Sequence, residues 1–311
     1  MKRKLASISV DLDEVDCYGA IHGIEIPEGP ALHAVYDRCV PRLAELFEAE
    51  SIRATFFAIG SDLEHAHNRD VVASLHAAGH EIGNHSFHHH YDLSRRSAED
   101  ILQDIGLGAS AIHEACGARP VGFRAPGYTI NDTMFDGLEA SEVEYDSSVF
   151  PCPSYYAAKV SVLGMMALKG RKSQSIVDTP LVLRSPKRPY RVGRPYWREG
   201  TGLLELPIGV TRWGLPYIGT SLVLWGDRGA RALTRQMLGR DFIHVELHGF
   251  DVADVALDGL QPLAPHRPDL KRTAAEKVSV IRGVIGMIRQ AGYELLPLKE
   301  VARRLSETSS P

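Results

Sequence analysis

The chain has 311 residues, a net charge of −4 with its 14 histidines neutral, 44% hydrophobic and 24% charged residues. That length can bury a large core as a single domain over 1–311, and the mild acidity excludes a general nucleic-acid-binding surface. The four cysteines, Cys17, Cys39, Cys116 and Cys152, lack the spacing of a zinc knuckle or redox motif, and no uncharged apolar run approaches the ~20 residues of a membrane span.

The opening "MKRKLASISVDLDEVD" carries two aspartates by position 13, where a signal peptide would be most apolar, so a cytoplasmic location is expected. "LASISVDLD" reads as a strand with carboxylates at its end. "ALHAVYDRCVPRLAELFEAE" reads as a helix whose Val35, Leu43, Leu46 and Phe47 share a face, with Pro41 marking a kink or a late start. "RATFFAIG" is a strand, "NRDVVASLHAAGH" a helix stopped by Gly79, and "HEIGNHS" a short strand. "SAEDILQDIGLGASAIHEACG" is a helix opened by Ser97 with Asp100 three residues later. "VGFRAPG" is a strand and turn, "NDTMFDGLEASE" a helix capped by Asn131, and "VEYDSS" a strand. From about 150 to 202 the alternation breaks down into an irregular, proline-rich insertion. Regularity returns with "GLLELPIG", "RDFIHVELHGFD", a helix near 271–291 and "YELLPLKEVARRL". Strands alternating with helices predict an α/β fold with a mainly parallel sheet, and polar strand ends favour a barrel over an open sheet.

Chemistry-bearing residues gather at four of these strand ends. Asp11 and Asp13 are two apart and point the same way if the strand continues, where only a cation or an arginine would relieve their repulsion. His85 and His89 in "GNHSFHHH" are four apart, so in a helical turn they could grip one ion. Two imidazoles and a carboxylate with an open position form a catalytic zinc arrangement. Arg124 in "GFRAPG" can hold a neighbouring carboxylate with two hydrogen bonds and keep it ionised. His244, Glu246 and His248 in "FIHVELHG" share one strand face, which is costly in a dry core and favours a cavity, with His248 best placed as a proton donor. Each of these groups, taken alone, also has an ordinary structural or solvated reading.

Taken in order, "SVDLDE", "HSFHH", "GFRAPG", "LLELPIG" and "HVELHG" resemble the motifs of the polysaccharide deacetylase (NodB-homology) family of carbohydrate esterases over about residues 5–300. The resemblance implies a distorted (β/α) barrel of the NodB-homology type. It also implies a divalent metal, Zn²⁺ in many members, and removal of an acyl group from an N-acylated sugar. It makes Asp13, His85 and His89 the metal ligands and Asp11 the general base that activates water. Arg124 would position that base, and His248 would be the acid that protonates the leaving amine. The family's commonest pattern has adjacent aspartates. Here the D-x-D spacing resembles a subgroup with peptidoglycan deacetylases and allantoinase-like proteins, and an alignment with Asp13 as base and Glu14 as ligand stays open. The fourth motif lacks the expected partner for orienting His248.

The implied activity is metal-dependent amide hydrolysis, removing an acetyl group from an amino sugar or a related small amine. The alternatives are an allantoinase-like hydrolase of a cyclic amide and a catalytically silent carbohydrate-binding barrel. Two further stretches bear on the substrate. "RSPKRPYRVGRPYWR" (184–198) interleaves arginines with aromatics, a pattern suited to phosphate and sugar rings. "KVSVLGMMALKGRK" (159–172) is apolar between basic flanks, as in an interfacial helix. Together they suggest a phosphorylated or lipid-linked glycan substrate and a peripheral membrane contact; a solvated loop over a buried helix is the plainer alternative.

Overall fold

A computed structural model describes residues 4–26, 29–168, 170 and 172–307. One sheet of nine strands runs through them: β1 (Lys4–Asp11), β2 (Thr55–Ala58), β3 (Glu81–Asn84), β4 (Gly122–Phe123), β5 (Tyr145–Asp146), β6 (Tyr190–Val192), β7 (Glu199–Glu205), β8 (Phe242–His248) and β9 (Tyr293–Leu295). Their order is β6-β7-β5-β4-β3-β2-β1-β8, with β9 also paired to β1. All pairings are parallel except β6 with β7.

The helices are α1 (Val15–His22), α2 (Val40–Ala49), α3 (Ala66–Ala77), α4 (Ala98–Cys116), α5 (Asp132–Glu139), α6 (Pro153–Leu168), α7 (Gly219–Met237), α8 (Val255–Asp258), α9 (Ala274–Gln290) and α10 (Leu298–Glu307).

Alternation along β1 and β8 separates core from site. Ala6, Ile8 and Val10, with Ile243, Val245 and Leu247, join the main hydrophobic cluster. The residues between them, Ser7, Ser9 and Asp11 on β1 and His244, Glu246 and His248 on β8, take the other face. The parallel register pairs Asp11 with His248 and Ser9 with Glu246.

The sheet is curled. Arg124, immediately after β4, donates to Ser9 and Asp11 on β1 although β3 and β2 lie between the two strands. Curling brings the two ends of the sheet together without a closing ladder. Instead, His244 Nδ1 on β8 lies 3.1 Å from the carbonyl of Pro207, just past β7, and Gly209 packs so near the His244 carbonyl that a Cβ would lie 2.3 Å from it. The result is a distorted (β/α) barrel with an unzipped seam.

Pro41 sits in the first turn of α2, directly after a π-helical turn over Val35–Cys39, so it marks a late start. Ser97 and Asn131 cap their helices as expected, each accepting a backbone N–H; such caps contribute ~1 kcal/mol. The 150–202 stretch is a correction: it is not irregular throughout, because it contains the 16-residue α6, the edge strand β6 and the start of β7. Helix α7 was also absent from the sequence reading. Its buried Leu222, Val223, Ala230, Leu233 and Met237 follow helical periodicity, and the helix bends at Gly226, where φ is 65°. Among the described residues no helix is long and apolar enough to cross a membrane.

Candidate active site

Strand β1 stops at Asp11, but the alternation outlasts it. Leu12 enters the core, Asp13 turns toward the histidines and Glu14 turns away. Glu14 accepts backbone N–H groups from Val15, Val35 and Tyr36 at 2.9, 3.2 and 3.1 Å, and burial pushes its carboxyl up to about 8. It therefore caps α1 and the turn at 35, and stands outside the histidine cluster, contrary to the alignment that would make it a ligand.

The expected helical turn at His85–His89 is absent. The tract is a tight coil with left-handed backbone at Ser86 (φ 64°) and His89 (φ 52°), an unfavourable conformation for residues with a Cβ. Tertiary contacts hold it there. Gly60 and Ser61 donate to the carbonyls of Ser86 and Phe87, and α4 approaches so closely at Gly108 that a Cβ would lie 2.8 Å from Ser86. The two rings still converge, with centroids 4.8 Å apart.

Asp13, His85 and His89 form one buried cluster of metal-ligand type. Asp13 Oδ1 lies 3.3 Å from His85 Nε2, and its Oδ2 lies 3.5 Å from His89 Nε2. His85 Nδ1 donates to the Arg124 carbonyl at 2.7 Å, which leaves Nε2 as the lone-pair nitrogen facing Asp13. Burial pushes His89 down to about 4, so its imidazole is neutral at pH 7. Asp13 Oδ1 and His89 Nε2 are buried without a hydrogen-bond partner. Buried polar atoms are rarely left so unless an ion or ligand completes them. Burial opposes charge on His85, but Asp11 and Asp13 raise its pKa; two imidazoles and a carboxylate, once deprotonated, suit a divalent metal, zinc included.

Arg124 is fully buried. Its guanidinium donates to Asp11 Oδ1 at 2.5 Å, to Ser9 Oγ and Ser147 Oγ at 2.9 Å and to the Ser147 carbonyl at 2.8 Å, and it lies over the Phe57 ring at 4.2 Å. A charge so deep is tolerable because each edge is matched. His244, which burial pushes down to about 3, is part of this support. With Nδ1 donating to Pro207, its Nε2 accepts from Ser9.

His248 is the register neighbour of Asp11 across the β1–β8 ladder. Its Nε2 is 4.0 Å from Asp13 Oδ2, and its Nδ1 is 3.0 Å from Glu246 Oε1. Burial opposes its charge, but the Glu246 carboxylate, with Asp13 and Asp11 beyond it, raises it to about 10. Glu246, two residues back on the same face, thus supplies the orienting partner missing from the fourth motif. Tyr128 Oη stands 3.4 Å from His248 Nε2. Its own backbone is left-handed, as is that of Gly127, which turns the chain sharply after Arg124. Tyr128 was not singled out in the sequence; its place directly after "RAPG" was the available signal.

Above the cluster is a pocket of about 370 Å³ walled by Tyr18, Tyr91, Tyr128 and Tyr155, with the inner side of α6 along one edge. The 184–198 stretch does not reach it. Arg188 pairs with Glu199, Arg194 with Asp136 and Glu139, and Tyr190 and Tyr196 are buried. Arg188 and Arg194 brace the edge hairpin, and no residue of the stretch lines this pocket. In the 159–172 stretch, 169 and 171 lie outside the described residues, and the rest is mostly α6.

Residues 28–145 match the polysaccharide deacetylase family model. A peptidoglycan-N-acetylglucosamine deacetylase of Bacillus cereus is 37% identical over 95 residues, 30% of this chain and 43% of that protein. A chitooligosaccharide deacetylase of Bradyrhizobium is 30% identical over 115 residues, 36% of this chain and 51% of that protein. The chain thus spans about half or less of these relatives' length. A crystal structure of a candidate polysaccharide deacetylase from Mycobacterium smegmatis superimposes with a TM-score of 0.62 at 17% identity, covering 99% of this chain and 93% of that one. By its 28–145 segment and by its fold, the chain is related to the polysaccharide deacetylases.

Proposed function

We propose that the protein is a metal-dependent amide hydrolase that removes an acyl group, acetyl in the simplest case, from an N-acylated amino sugar or a related small amine. The observation that carries this reading is the pair of partnerless buried atoms, Asp13 Oδ1 and His89 Nε2, beside His85 Nε2. The Arg124–Asp11 pair and the Glu246–His248 pair both adjoin their cluster.

Asp13, His85 and His89 would hold the metal, zinc by the chemistry of the donor set. When bound, it supplies Lewis-acid activation of the water and of the acyl carbonyl. Asp11 is the general base: Arg124 holds one of its oxygens, and the other, 3.9 Å from His85 Nε2, faces the cluster to take a proton from the attacking water. Arg124 is a positioning residue. His248, held by Glu246 at Nδ1, presents Nε2 as the acid that protonates the leaving amine. Base and acid are then register neighbours on β1 and β8, each able to reach the bond being broken at the cluster. Four cysteines without disulfides support a reducing, cytoplasmic setting.

Release of free amine from N-acetylated sugars and amines, measured beside the metal content of the purified protein, tests the reading. Asp11→Asn should keep the metal and lower turnover on the order of 10²–10⁴-fold. A protein that takes up no metal under any loading condition would favour the cyclic-amide or silent-barrel alternatives. A second reading concerns location. Val160, Val162, Met165 and Leu168 on α6 are 39–90% exposed, which supports a peripheral membrane contact; failure to sediment with anionic vesicles would remove it.

A further inference from the structure

Besides the histidines at the cluster, two cationic side chains reach the tyrosine-walled pocket, Arg267 and Lys159. Arg267 is already neutralised. Its guanidinium grips both oxygens of Asp269 at 2.8 and 3.2 Å and stacks over Tyr18 and Phe250 at 4.8 Å. Lys159 is not. Its Nζ donates once, to the Gly127 carbonyl at 3.0 Å, and stands 5.9 Å from the Tyr155 ring. An ammonium carries three donors. Among the described residues no carboxylate forms an ion pair with Lys159. Asp178 acts on it only at longer range, and its carboxylate is engaged by the Thr179 N–H at 2.5 Å and the Tyr196 hydroxyl at 3.2 Å.

Burial pulls Lys159 down to about 8, so the ammonium remains charged at pH 7. Lys159 is half-buried and has no ion-pair partner among the described residues, so a ligand anion would complete it. The pocket therefore joins the proposed reacting groups to a cation: Asp11, Asp13, His85 and His248 line it together with Lys159 and four tyrosines. Its volume suits one small molecule or one sugar unit.

We propose that Lys159 forms an anion subsite, and that the substrate is a small N-acylated amine carrying a carboxylate or phosphate. The amide lies at the Asp11–His248 pair and the anion on Lys159 Nζ. This assignment rests on the hydrolase reading above and narrows it. It places anion recognition on a single lysine of α6, since no 184–198 arginine lines this pocket.

Matched acidic and neutral compounds test it. One pair is N-acetylglucosamine 6-phosphate and N-acetylglucosamine; the other is an N-acetyl amino acid and its primary amide. Turnover by the metal-loaded protein and calorimetric binding are both measured, and the two pairs separate phosphate from carboxylate. The acidic member of at least one pair should be preferred by ~10²-fold in kcat/KM or affinity, the scale of a charge-assisted contact. Lys159→Met should erase that preference mainly through KM while leaving the neutral member within ~3-fold, and Lys159→Arg should restore part of it. Selective binding of the acid, lost in Lys159→Met, upholds the subsite even if no compound is hydrolysed; in that case only the hydrolase reading fails. Equal handling of acid and neutral amide by the unmodified protein overturns the subsite while leaving hydrolysis intact. The same comparison needs no variant, so misfolding of Lys159→Met cannot mask the answer, and Lys159→Gln provides a second substitution.

Discussion

His85 and His88 are three residues apart and end in opposite environments. The His85 side chain is 1% exposed, its Nδ1 fixed by the Arg124 carbonyl and its Nε2 turned toward Asp13. The His88 side chain is 49% exposed and donates Nδ1 to Asp104 at 2.6 Å. With His90 it forms a second cluster of metal-ligand type, His88, His90 and Asp104, on the outer side of the tract. The clusters differ in what is left unsatisfied. Buried atoms lack partners in the first. In the second, Asp104 already accepts the backbone N–H groups of Phe87 and His88, so it fastens the tract to α4. The number of histidines says little about a metal; burial with missing partners says more.

The largest expected effect tests that contrast directly. His85→Ala should abolish metal retention in elemental analysis and lower turnover on the order of 10³-fold or more, since a catalytic ligand is removed. His88→Ala should retain the metal and stay within about 3-fold in turnover, as expected of a residue outside the reacting centre. If both lose metal equally, the distinction between the clusters collapses.

Arg124→Ala removes the guanidinium that pairs with buried Asp11, and denaturant unfolding should show a loss of ~3–5 kcal/mol. Glu246→Gln should lower kcat by ~10–100-fold with metal content unchanged. Here the sign is set by charge. Glu246 favours protonated His248, so a neutral glutamine lets the His248 pKa fall from about 10. The acid is then lost at lower pH, and the alkaline limb of the pH–rate profile moves down. An unmoved limb would mean that another group donates the proton. Asp104→Ala should cost ~1–3 kcal/mol of stability by orphaning two backbone donors, with metal affinity nearly unchanged. His90→Ala is the smallest effect, within ~0.5 kcal/mol in thermal unfolding.

Much of the catalytic-end arrangement was legible because strand periodicity is short-range. "SVDLD" and "HVELH" place alternate residues on one face whatever the rest of the chain does, and the parallel register then sets Asp11 beside His248. The histidine pair was found by a spacing argument whose geometry failed. The rings meet through left-handed backbone at Ser86 and His89, held by Gly60 and α4, not through a helical turn. Glu246 was seen on the correct face, but its distance from His248 depends on rotamers set by the curled sheet. Lys159 and the tyrosine walls were illegible as a site, because Tyr18, Tyr91, Tyr128 and the Tyr155–Lys159 pair of α6 come from separate segments. The pairing of Arg194 was hidden too, since Asp136 and Glu139 lie on α5.

The sequence by itself determined the α/β class, the face of each polar strand residue and the residue types available for a metal and for proton transfer. These depend on local periodicity and on side-chain chemistry. The tertiary structure alone decided that Glu14 caps a helix while Asp13 faces the histidines, and that Arg124 spans a curled sheet to Asp11. It also decided that a lysine on α6 enters the pocket without a carboxylate partner among the described residues. Convergence, burial and loss of water are properties of distant segments packed together, and no local pattern encodes which partners remain missing once they meet.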